Sequence, residues 1–408
     1  MILISRFALG VFYINRKLLV IIFCIVILLC GCSKSIKYTT DDISLQNGVV
    51  TDLGISSAGN TSLSQNSRNP WDITIIDGDV YVATGDYDKN TGGISIWKYD
   101  DSESEWINSG DVEQEAIVRF VKLNDEDVAI GGDPVDRPEY ADTYVLKNGK
   151  WEIFSKIKGA LHIFDAEYFD NAVYFGVGYE ANEYPVVKYI PETNEYVNIP
   201  LYKNGADVIY VLGMTLNVEH KRVYDLFSVN GKLFCAFSCY YTEGKSTIEF
   251  FELKNDRFEF CTAFKMSKMR MDKIVKNQML FNCDAVVGKS CYISTGNLYK
   301  TEDFTKFDKI DIPDNACVTD LLVDKRNNKE ILYVMAVVKK DGEYENVIYK
   351  LDSNNLIKVY SFDYGLSALS FAKFGDDFYI GLGCDGVYSD DAGRVLKIEI
   401  FKNDSSIS

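Results

Sequence analysis

Hydrophobic and polar residues alternate one by one along most of the chain between residues 70 and 401. The apolar positions are dominated by Tyr, Phe, Val and Ile, which favour extended strands. No long stretch shows the three- to four-residue apolar spacing of an amphipathic helix. The pattern therefore predicts an all-β chain built from many short strands.

These strands recur as a unit in which two strands, a polar loop and a further aromatic-bearing strand follow one another. The second strands centre on residues 81, 129, 174, 234, 292, 333 and 379, which are 41 to 60 residues apart. In the first unit the four strands are predicted at Trp71–Ile76, Val80–Gly85, Ile94–Tyr99 and Trp106–Ser109. Seven repeats of this length predict a seven-bladed β-propeller of four-stranded antiparallel blades.

The repeat pattern resembles kelch- and sialidase-type β-propellers across residues 46–401. The kelch double glycine does not recur strictly, whereas Ser389–Gly393 resembles the start of a sialidase Asp-box and Thr301–Asp303 does so more weakly. Asp-boxes form turns and do not carry catalysis. A sialidase also needs three arginines gathered around a carboxylate, and only Arg68 and Arg137 fall on the expected working face. The resemblance therefore implies an architecture and not an activity.

The seventh unit is one strand short, because Arg394–Phe401 aligns with the third strand of the other units and little follows it. The segment Gly48–Ser56 precedes the first unit and has the composition of a strand. We predict that this segment pairs as the outer strand of the last blade and closes the ring, which protects an otherwise open sheet edge.

Blade topology predicts which face of the propeller binds ligands. In an antiparallel meander, the loops between strands 2 and 3 lie on the same face as the connections from strand 4 to the next blade. Two long insertions fall in such connections, near Leu201–Met214 and Lys265–Asn277, where they could cover part of the channel mouth. The second insertion mixes basic residues with methionines, which is typical of a surface for an acidic partner or, more simply, of a solvated loop.

Tyrosines and carboxylates dominate the loops of this face. Aromatic rings stack on sugars or apolar side chains, and carboxylates accept hydrogen bonds from hydroxyls and amines, although Asp also serves turns. The predicted ligand-binding residues are Trp71, Asp72, Asp86, Tyr87, Asp88, Asp133, Tyr140, Tyr179, Glu180, Tyr240 and Tyr241. Because the loops and the whole domain are acidic, we expect a neutral or cationic ligand.

The sequence predicts no metal centre. His162 and His220 are the only histidines, and neither sits in a metal-binding motif. Asp86, Asp88 and Asn90 have the oxygen spacing that opens a calcium loop, but Thr91 and Trp97 stand where that loop needs glycine and a bidentate glutamate. Calcium at these three residues is the alternative to a chain without a cofactor, and no other cofactor is expected.

The N-terminus predicts export. Residues 1–31 contain Arg6, Arg16 and Lys17, no acidic residue, and the apolar run Leu18–Cys30, which is too short to span a membrane as a helix. The end of this segment, Leu29–Cys32, resembles a bacterial lipobox. The resemblance implies a signal peptide at residues 1–31 and diacylation of Cys32, with residues 32–45 as a tether and 46–408 as the propeller. The expected location is lipid-anchored at the cell membrane or cell surface, outside the cytoplasm.

Charge and cysteine content restrict the partners further. The net charge of −17 makes nucleic acid a poor partner. Of the seven cysteines after Cys32, we interpret Cys235, Cys291 and Cys317 as buried core thiols, because they lie in or beside apolar strands. Cys235 and Cys239 stand too far apart on one strand for a disulfide.

Three functions remain open. The first is a lipid-anchored binding module that captures a glycan, peptide or envelope protein on the predicted face. The second is a glycoside hydrolase or lyase that uses paired carboxylates at the channel mouth, since such enzymes need two acids at a set separation. The third is a structural subunit of an envelope complex, which needs no pocket.

Overall fold

The computed structural model describes residues 48–57, 68–85, 93–134, 140–160, 162–179, 184–208, 218–241, 247–265, 284–294, 296–313, 315–326, 329–384 and 389–400. The chain divides into two compact units, Met1–Lys37 and Tyr38–Ser408. The first unit, with the predicted signal peptide and Cys32, lies outside the described residues. Within the described residues, no helix has the length and apolar character that crossing a membrane requires.

The second unit is all-β, as the alternation predicts. Its strands, in chain order, are β1 (Gly48–Ile55), β2 (Asp72–Ile76), β3 (Asp79–Ala83), β4 (Ile94–Asp100), β5 (Glu105–Val112), β6 (Gln114–Leu123), β7 (Glu126–Pro134), β8 (Tyr140–Lys147), β9 (Lys150–Lys158), β10 (His162–Phe169), β11 (Ala172–Tyr179), β12 (Val186–Ile190), β13 (Glu195–Asn198), β14 (Leu201–Lys203), β15 (Ala206–Asp207), β16 (Val218–Val229), β17 (Lys232–Tyr241), β18 (Thr247–Lys254), β19 (Arg257–Lys265), β20 (Asp284–Val287), β21 (Ser290–Ser294), β22 (Leu298–Thr301), β23 (Asp308–Ile310), β24 (Ala316–Arg326), β25 (Lys329–Lys339), β26 (Tyr344–Asp352), β27 (Asn355–Tyr364), β28 (Ser367–Phe374), β29 (Asp377–Gly383) and β30 (Arg394–Ile400).

The sheets form a β-propeller of four-stranded antiparallel blades, but the prediction of seven separate blades is wrong. Five separate four-stranded sheets are present: β2 to β5, β6 to β9, β20 to β23, β24 to β27, and β28 to β30 with β1. The remaining strands form one ten-stranded sheet. It contains two antiparallel meanders, β10 to β13 and β16 to β19, which pair through Gly178 with Arg222 and Tyr179 with Lys221. This backbone pairing joins what the sequence predicts as two blades.

The connection before β16 also differs from its prediction. The segment Leu201–Asp207 forms the hairpin β14–β15, and β14 pairs in parallel with β19 through Leu201 and Phe258. This part of the insertion therefore covers the outer edge of β19 rather than the channel mouth. Residues 209–217, and 266–277 of the Met- and Lys-containing insertion, lie outside the described residues.

The first strand of each meander lines the centre of the molecule. These inner strands contact one another in a closed series, β2, β6, β10, β16, β20, β24 and β28, and β28 returns to contact β2. The apolar core lies between the meanders. One example is the ring of Phe304, which packs against Phe227, Phe234 and Phe250 at centroid distances of 5.0, 4.4 and 5.3 Å.

Closure of the ring by an N-terminal strand is confirmed. β1 pairs antiparallel with β30 from Gly48 opposite Ile400 to Ile55 opposite Arg394. The Trp106 indole N–H donates to the Leu53 carbonyl oxygen (2.7 Å), and Arg394 binds the carboxylate of Asp52. The last blade therefore has four strands, drawn from both ends of the propeller sequence.

Two smaller predictions also agree with the structure. Cys235, Cys291 and Cys317 are buried, and none of them forms a disulfide. Both Asp-box-like segments form turns. The Thr301 hydroxyl accepts from the Phe304 N–H (2.9 Å), and the Ser389 hydroxyl accepts from the Asp391 N–H (3.2 Å).

Candidate functional site

A cluster of charged side chains lies at the centre of the ring, on the inner strands. We call it the axial cluster, and its members are Asp72, Arg119, Asp165, Glu167, Asp225, Asp284 and Asp320. They come from β2, β6, β10, β16, β20 and β24. Six carboxyl groups thus share the centre of the ring with one guanidinium group.

Local irregularities in the inner strands place these side chains. The register shifts between Ile117 and Arg119, between Ile163 and Asp165, and between Val223 and Asp225 in the pairing of β6, β10 and β16 with their next strands. An extra residue in one strand of a pair bends that strand and redirects a side chain. The shifts therefore turn these charged residues out of the regular alternation.

The carboxylates join neighbouring inner strands through backbone hydrogen bonds. The Phe120 N–H donates to Asp72 (2.7 Å), and the Leu226 N–H donates to Asp165 (2.8 Å). The Phe371 N–H donates in the same way to Asp320 (2.8 Å). Phe120 and Leu226 each follow directly on the residue that the next strand contributes to the cluster, Arg119 and Asp225. The carboxylates therefore hold the ring together as well as carrying charge.

Arg119 is the hub of the cluster. Its Nη1 lies 3.0 Å from an oxygen of Asp165 and 3.1 Å from an oxygen of Asp225, and its Nη2 binds Asp284. Burial alone would lower the pKa of Arg119, but the three carboxylates raise it well above its usual range. Because both oxygens bind one nitrogen, Asp165 and Asp225 cannot be separated by more than about 6 Å at these atoms.

Most of the carboxyl groups hold their protons more tightly than usual. Burial raises the pKa of Asp72 to about 6, although the Phe120 N–H and Arg119 oppose the shift. Burial likewise raises the pKa of Asp165 to about 6 against the pull of Arg119. The pKa values of Asp225 and Asp320 lie well above their usual range, mainly through burial. Burial therefore opposes the ionisation of these four carboxyl groups.

Glu167 differs from the other acids. It lies two residues after Asp165 on β10 and is partly exposed. Burial, reinforced by the charges of Asp165 and Asp284, raises its pKa to about 8. Among the described residues, no hydrogen bond or ion pair engages its carboxyl group. Glu167 therefore holds its proton more tightly than an ordinary glutamate, and its carboxyl group has hydrogen-bonding capacity to offer a ligand.

Solvent reaches only part of the cluster. The side chains of Arg119 and Asp284 are each 14% exposed, whereas those of Asp165 and Asp225 are almost fully buried. A ligand in the channel would therefore meet Arg119, Asp284 and Glu167 first. Asp165 and Asp225 support the guanidinium from behind.

Two of the predicted ligand-binding residues have described side chains. Trp71 is half-buried, and its indole N–H donates to the Gly85 carbonyl oxygen (2.8 Å), so it braces the start of the loop after β3. Asp72 belongs to the axial cluster, where its carboxylate links β2 to β6 by accepting a hydrogen bond from the Phe120 N–H.

For the other predicted ligand-binding residues, the structure describes either the backbone position alone or nothing. Asp133 and Tyr140 stand at the facing ends of β7 and β8, and Asp133 pairs with Ala116, which bridges to Gly85. Tyr179 pairs with Lys221, and Tyr240 pairs with His220, so β16 brings these two tyrosine positions to one end of the ten-stranded sheet. Their side chains, and that of Tyr241, lie outside the described residues. So do Asp86, Tyr87, Asp88 and Glu180.

The possible calcium residues Asp86, Asp88 and Asn90 also lie outside the described residues. Within the described part of the chain, no group of three or more His, Cys, Asp or Glu side chains is arranged to hold a metal ion. The guanidinium of Arg119 occupies the position among Asp165, Asp225 and Asp284 that a cation would take.

Sequence reasoning missed the axial cluster apart from Asp72. A signal was present, because single charged residues interrupt apolar inner strands, as in Val223–Phe227 around Asp225 and Val318–Leu322 around Asp320. A charged residue in the middle of such a strand is costly to bury without a partner. Its recurrence at the same point of successive units indicates that the partners are one another.

No family model and no curated protein sequence matches the chain. Similar solved structures include BBS1N in complex with ARL6DN, at 9% identity and a TM-score of 0.48, covering 88% of this chain and 98% of that chain. The polysaccharide lyase Uly1 has 10% identity and a TM-score of 0.47 with the same coverage. The GH93 α-L-arabinofuranosidase of Fusarium graminearum with arabinobiose has 11% identity and a TM-score of 0.44, covering 78% and 98%. Similarities this distant carry no argument about what the chain binds.

Proposed function

We propose that this protein is an extracytoplasmic lipoprotein, acylated at Cys32, whose propeller binds a neutral or cationic ligand at the mouth of its central channel. The ligand is a glycan, a peptide or a protein of the envelope. The observation that carries the proposal is Glu167, a partly exposed residue whose carboxyl group has no partner among the described residues, beside a cluster in which acids outnumber the single arginine. Such a surface attracts hydroxyls and amines and repels polyanions.

A purely structural cluster would account for Asp72, Asp165 and Asp320, since each of these acids accepts a backbone N–H from the next inner strand. It does not account for Glu167. Keeping a carboxyl group in a largely desolvated position without a partner is unfavourable. A ligand hydroxyl or ammonium group would supply the missing partner.

The test is a glycan and peptide array probed with the full chain, followed by titration of the best ligand against Glu167→Gln. Glutamine keeps the shape of the side chain but cannot ionise. For a cationic ligand, we expect about tenfold weaker binding above pH 8, equivalent to about 1.4 kcal/mol, and little change near pH 6. The matched control is Glu192→Gln, which removes an exposed carboxylate from the turn between β12 and β13.

Two results would contradict the proposal. Binding that Glu167→Gln leaves unchanged at both pH values would place the site away from the axial cluster. Normal ligand binding by a folded variant in which Trp71, Tyr179 and Tyr240 are all replaced by Ala would show that the predicted aromatic residues are not part of the site.

The anchor is tested separately. Cys32→Ser removes the thiol that carries the acyl chains, so the protein should move from the membrane fraction to the soluble extracytoplasmic fraction and should no longer incorporate labelled palmitate. A variant that stays in the membrane fraction would show that another feature holds the protein there.

Glycoside hydrolysis or elimination is the second candidate, because a carboxyl group with a raised pKa beside a second carboxyl group is suited to general acid catalysis. Glu167 is that group, and Asp284 is the neighbouring carboxylate with access to solvent. Array ligands incubated with the protein should then yield new reducing ends or unsaturated products, and Glu167→Gln should abolish this turnover. Bound ligands that remain intact over long incubation would rule out this enzymatic function and leave binding as the remaining candidate.

A further inference from the structure

A second polar site lies where β16 pairs with both β11 and β17. Arg222 stands opposite Gly178 on one side and opposite Ser238 on the other. Directly paired residues in a sheet project to the same face. The three positions therefore form a short row at the seam that joins the two meanders.

The Arg222 guanidinium is held by an aromatic ring and not by an acid. Its central carbon lies 5.5 Å from the ring centroid of Phe164, which is fully buried. Arg119, Arg257, Arg326 and Arg394 each bind a carboxylate. Among the described residues, no carboxylate pairs with Arg222. In a chain of net charge −17, a half-buried arginine without a carboxylate partner is unusual, and among the described residues Arg68 is the only other arginine without one.

Ser238 supplies an independent observation. Its side chain is fully buried, and its Oγ has no hydrogen-bond partner among the described residues. A buried hydroxyl without a partner is unfavourable, and native proteins rarely keep one. Its position directly across from Arg222 places a hydroxyl with no described partner beside a cation with no described carboxylate partner.

Glycine at position 178 leaves room for the Arg222 side chain and the Phe164 ring. A Cβ atom there would lie 3.0 Å from the Phe164 ring and 3.4 Å from Cγ of Arg222. It would also approach the ring of His162, whose Nδ1 is hydrogen-bonded to the Gly132 carbonyl oxygen (2.8 Å). Any side chain at this position would push against the arginine and the aromatic ring that supports it.

We infer that Arg222 and Ser238, beside His162, form a binding subsite for a carboxylate group. The planar guanidinium matches a carboxylate through two parallel hydrogen bonds, and the serine hydroxyl adds a third donor. A singly charged group suits the subsite better than a phosphate dianion, because the surrounding protein is acidic. The subsite goes beyond the proposed function, since it lies on different residues from Glu167 and is tested with a different probe.

The test uses the full chain labelled only at histidine and titrated with sodium acetate while the imidazole resonances are recorded. The chain contains just two histidines, His162 and His220, and His220 lies on β16 two residues before Arg222. We expect a saturable shift of the His162 resonances. Sodium chloride at equal ionic strength and methylammonium should produce no saturable shift.

Two variants separate the subsite from general electrostatics. Arg222→Lys keeps the charge but loses the two-pronged geometry, and should weaken acetate binding about tenfold. The matched control is Arg257→Lys, because Arg257 also stacks on an aromatic ring, Tyr202 at 5.0 Å, but is paired with Glu259. This control should leave acetate binding unchanged.

Ser238→Ala distinguishes a ligand from a buried water molecule. If the hydroxyl serves the carboxylate, acetate binding weakens several-fold while the melting temperature holds or rises, since an unsatisfied hydroxyl is removed. The inference is overturned if acetate gives no saturable shift, if both variants bind it normally, or if phosphate binds more tightly than acetate. It is also overturned if the effect of acetate equals that of chloride.

Discussion

Replacing Arg119 with methionine tests whether the axial cluster holds the ring together. Methionine keeps much of the side-chain length but removes the charge that Asp165, Asp225 and Asp284 share. Removing one partner of a buried ion pair typically costs about 3–5 kcal/mol, because the remaining charge is left without compensation. With three carboxylates around one guanidinium, we expect a loss in the upper part of that range near neutral pH.

The loss of stability in Arg119→Met must depend on pH, and the pKa shifts of the carboxyl groups determine whether it grows or shrinks as the pH rises. Burial raises the pKa of Asp72 and Asp165 from 3.8 to about 6 and that of Glu167 from 4.5 to about 8. A raised folded-state pKa gives stability that is complete below the ordinary value and disappears as the pH rises through the folded value. The natural protein should therefore lose stability between about pH 4 and pH 8. Arg119→Met should lose much more over the same interval, because Arg119 opposes all three shifts.

The assay is urea unfolding followed by tryptophan fluorescence at about pH 4 and about pH 8, with Arg257→Met as the control. Arg257 pairs with Glu259 at the surface, so its replacement should cost less than about 1 kcal/mol at both pH values. An Arg119→Met penalty that is the same at the two pH values would refute the electrostatic account. A penalty as small as that of the control would show that the cluster does not stabilise the ring.

Three further outcomes are expected. Deletion of residues up to 56 removes β1 and exposes the edge of β30, so the melting temperature should fall; an unchanged value would argue against closure by β1. Phe304→Ala empties a site packed by Phe227, Phe234 and Phe250 and should cost about 3–5 kcal/mol in urea unfolding, whereas a loss below 1 kcal/mol would contradict the packing. Burial raises the pKa of the Cys235 and Cys291 thiols, so mass-mapped alkylation should modify them only after unfolding; modification in the native protein would show that these strands open.

Local patterns predict the strands well because alternation and turn residues act over a few positions. In the first blade the predicted strand Ile94–Tyr99 is observed as Ile94–Asp100, and the predicted Trp71–Ile76 as Asp72–Ile76. Closure by β1 can be predicted by counting strands, since the last blade is one strand short and the strand-like segment Gly48–Ser56 belongs to no other blade. The joining of two meanders into one sheet cannot be predicted from the sequence. It depends on backbone pairing between residues far apart in the chain, Gly178 with Arg222 and Tyr179 with Lys221.

The axial cluster escapes sequence analysis for a related reason. Asp225 and Asp320 are single charged residues within apolar runs, and the register shifts beside them leave no mark in the alternation. Tyrosines and acids in loops are easier to notice, but turns also select Asp and Asn. The loop residues therefore give the stronger sequence signal, although Arg119 and Glu167 carry the best-defined chemistry of the described residues.

The double role of the axial cluster links ligand binding to stability. Asp72, Asp165 and Asp320 hold backbone N–H groups of neighbouring inner strands, and Arg119 neutralises part of their charge. A cationic ligand that binds near Glu167 lowers the energy of the same ionised carboxylates. It should therefore stabilise the ring most where those groups are ionised, and the melting-temperature increase should be larger above pH 8 than below pH 6. A neutral ligand lacks this coupling, so the pH dependence of the stabilisation distinguishes the two kinds of ligand.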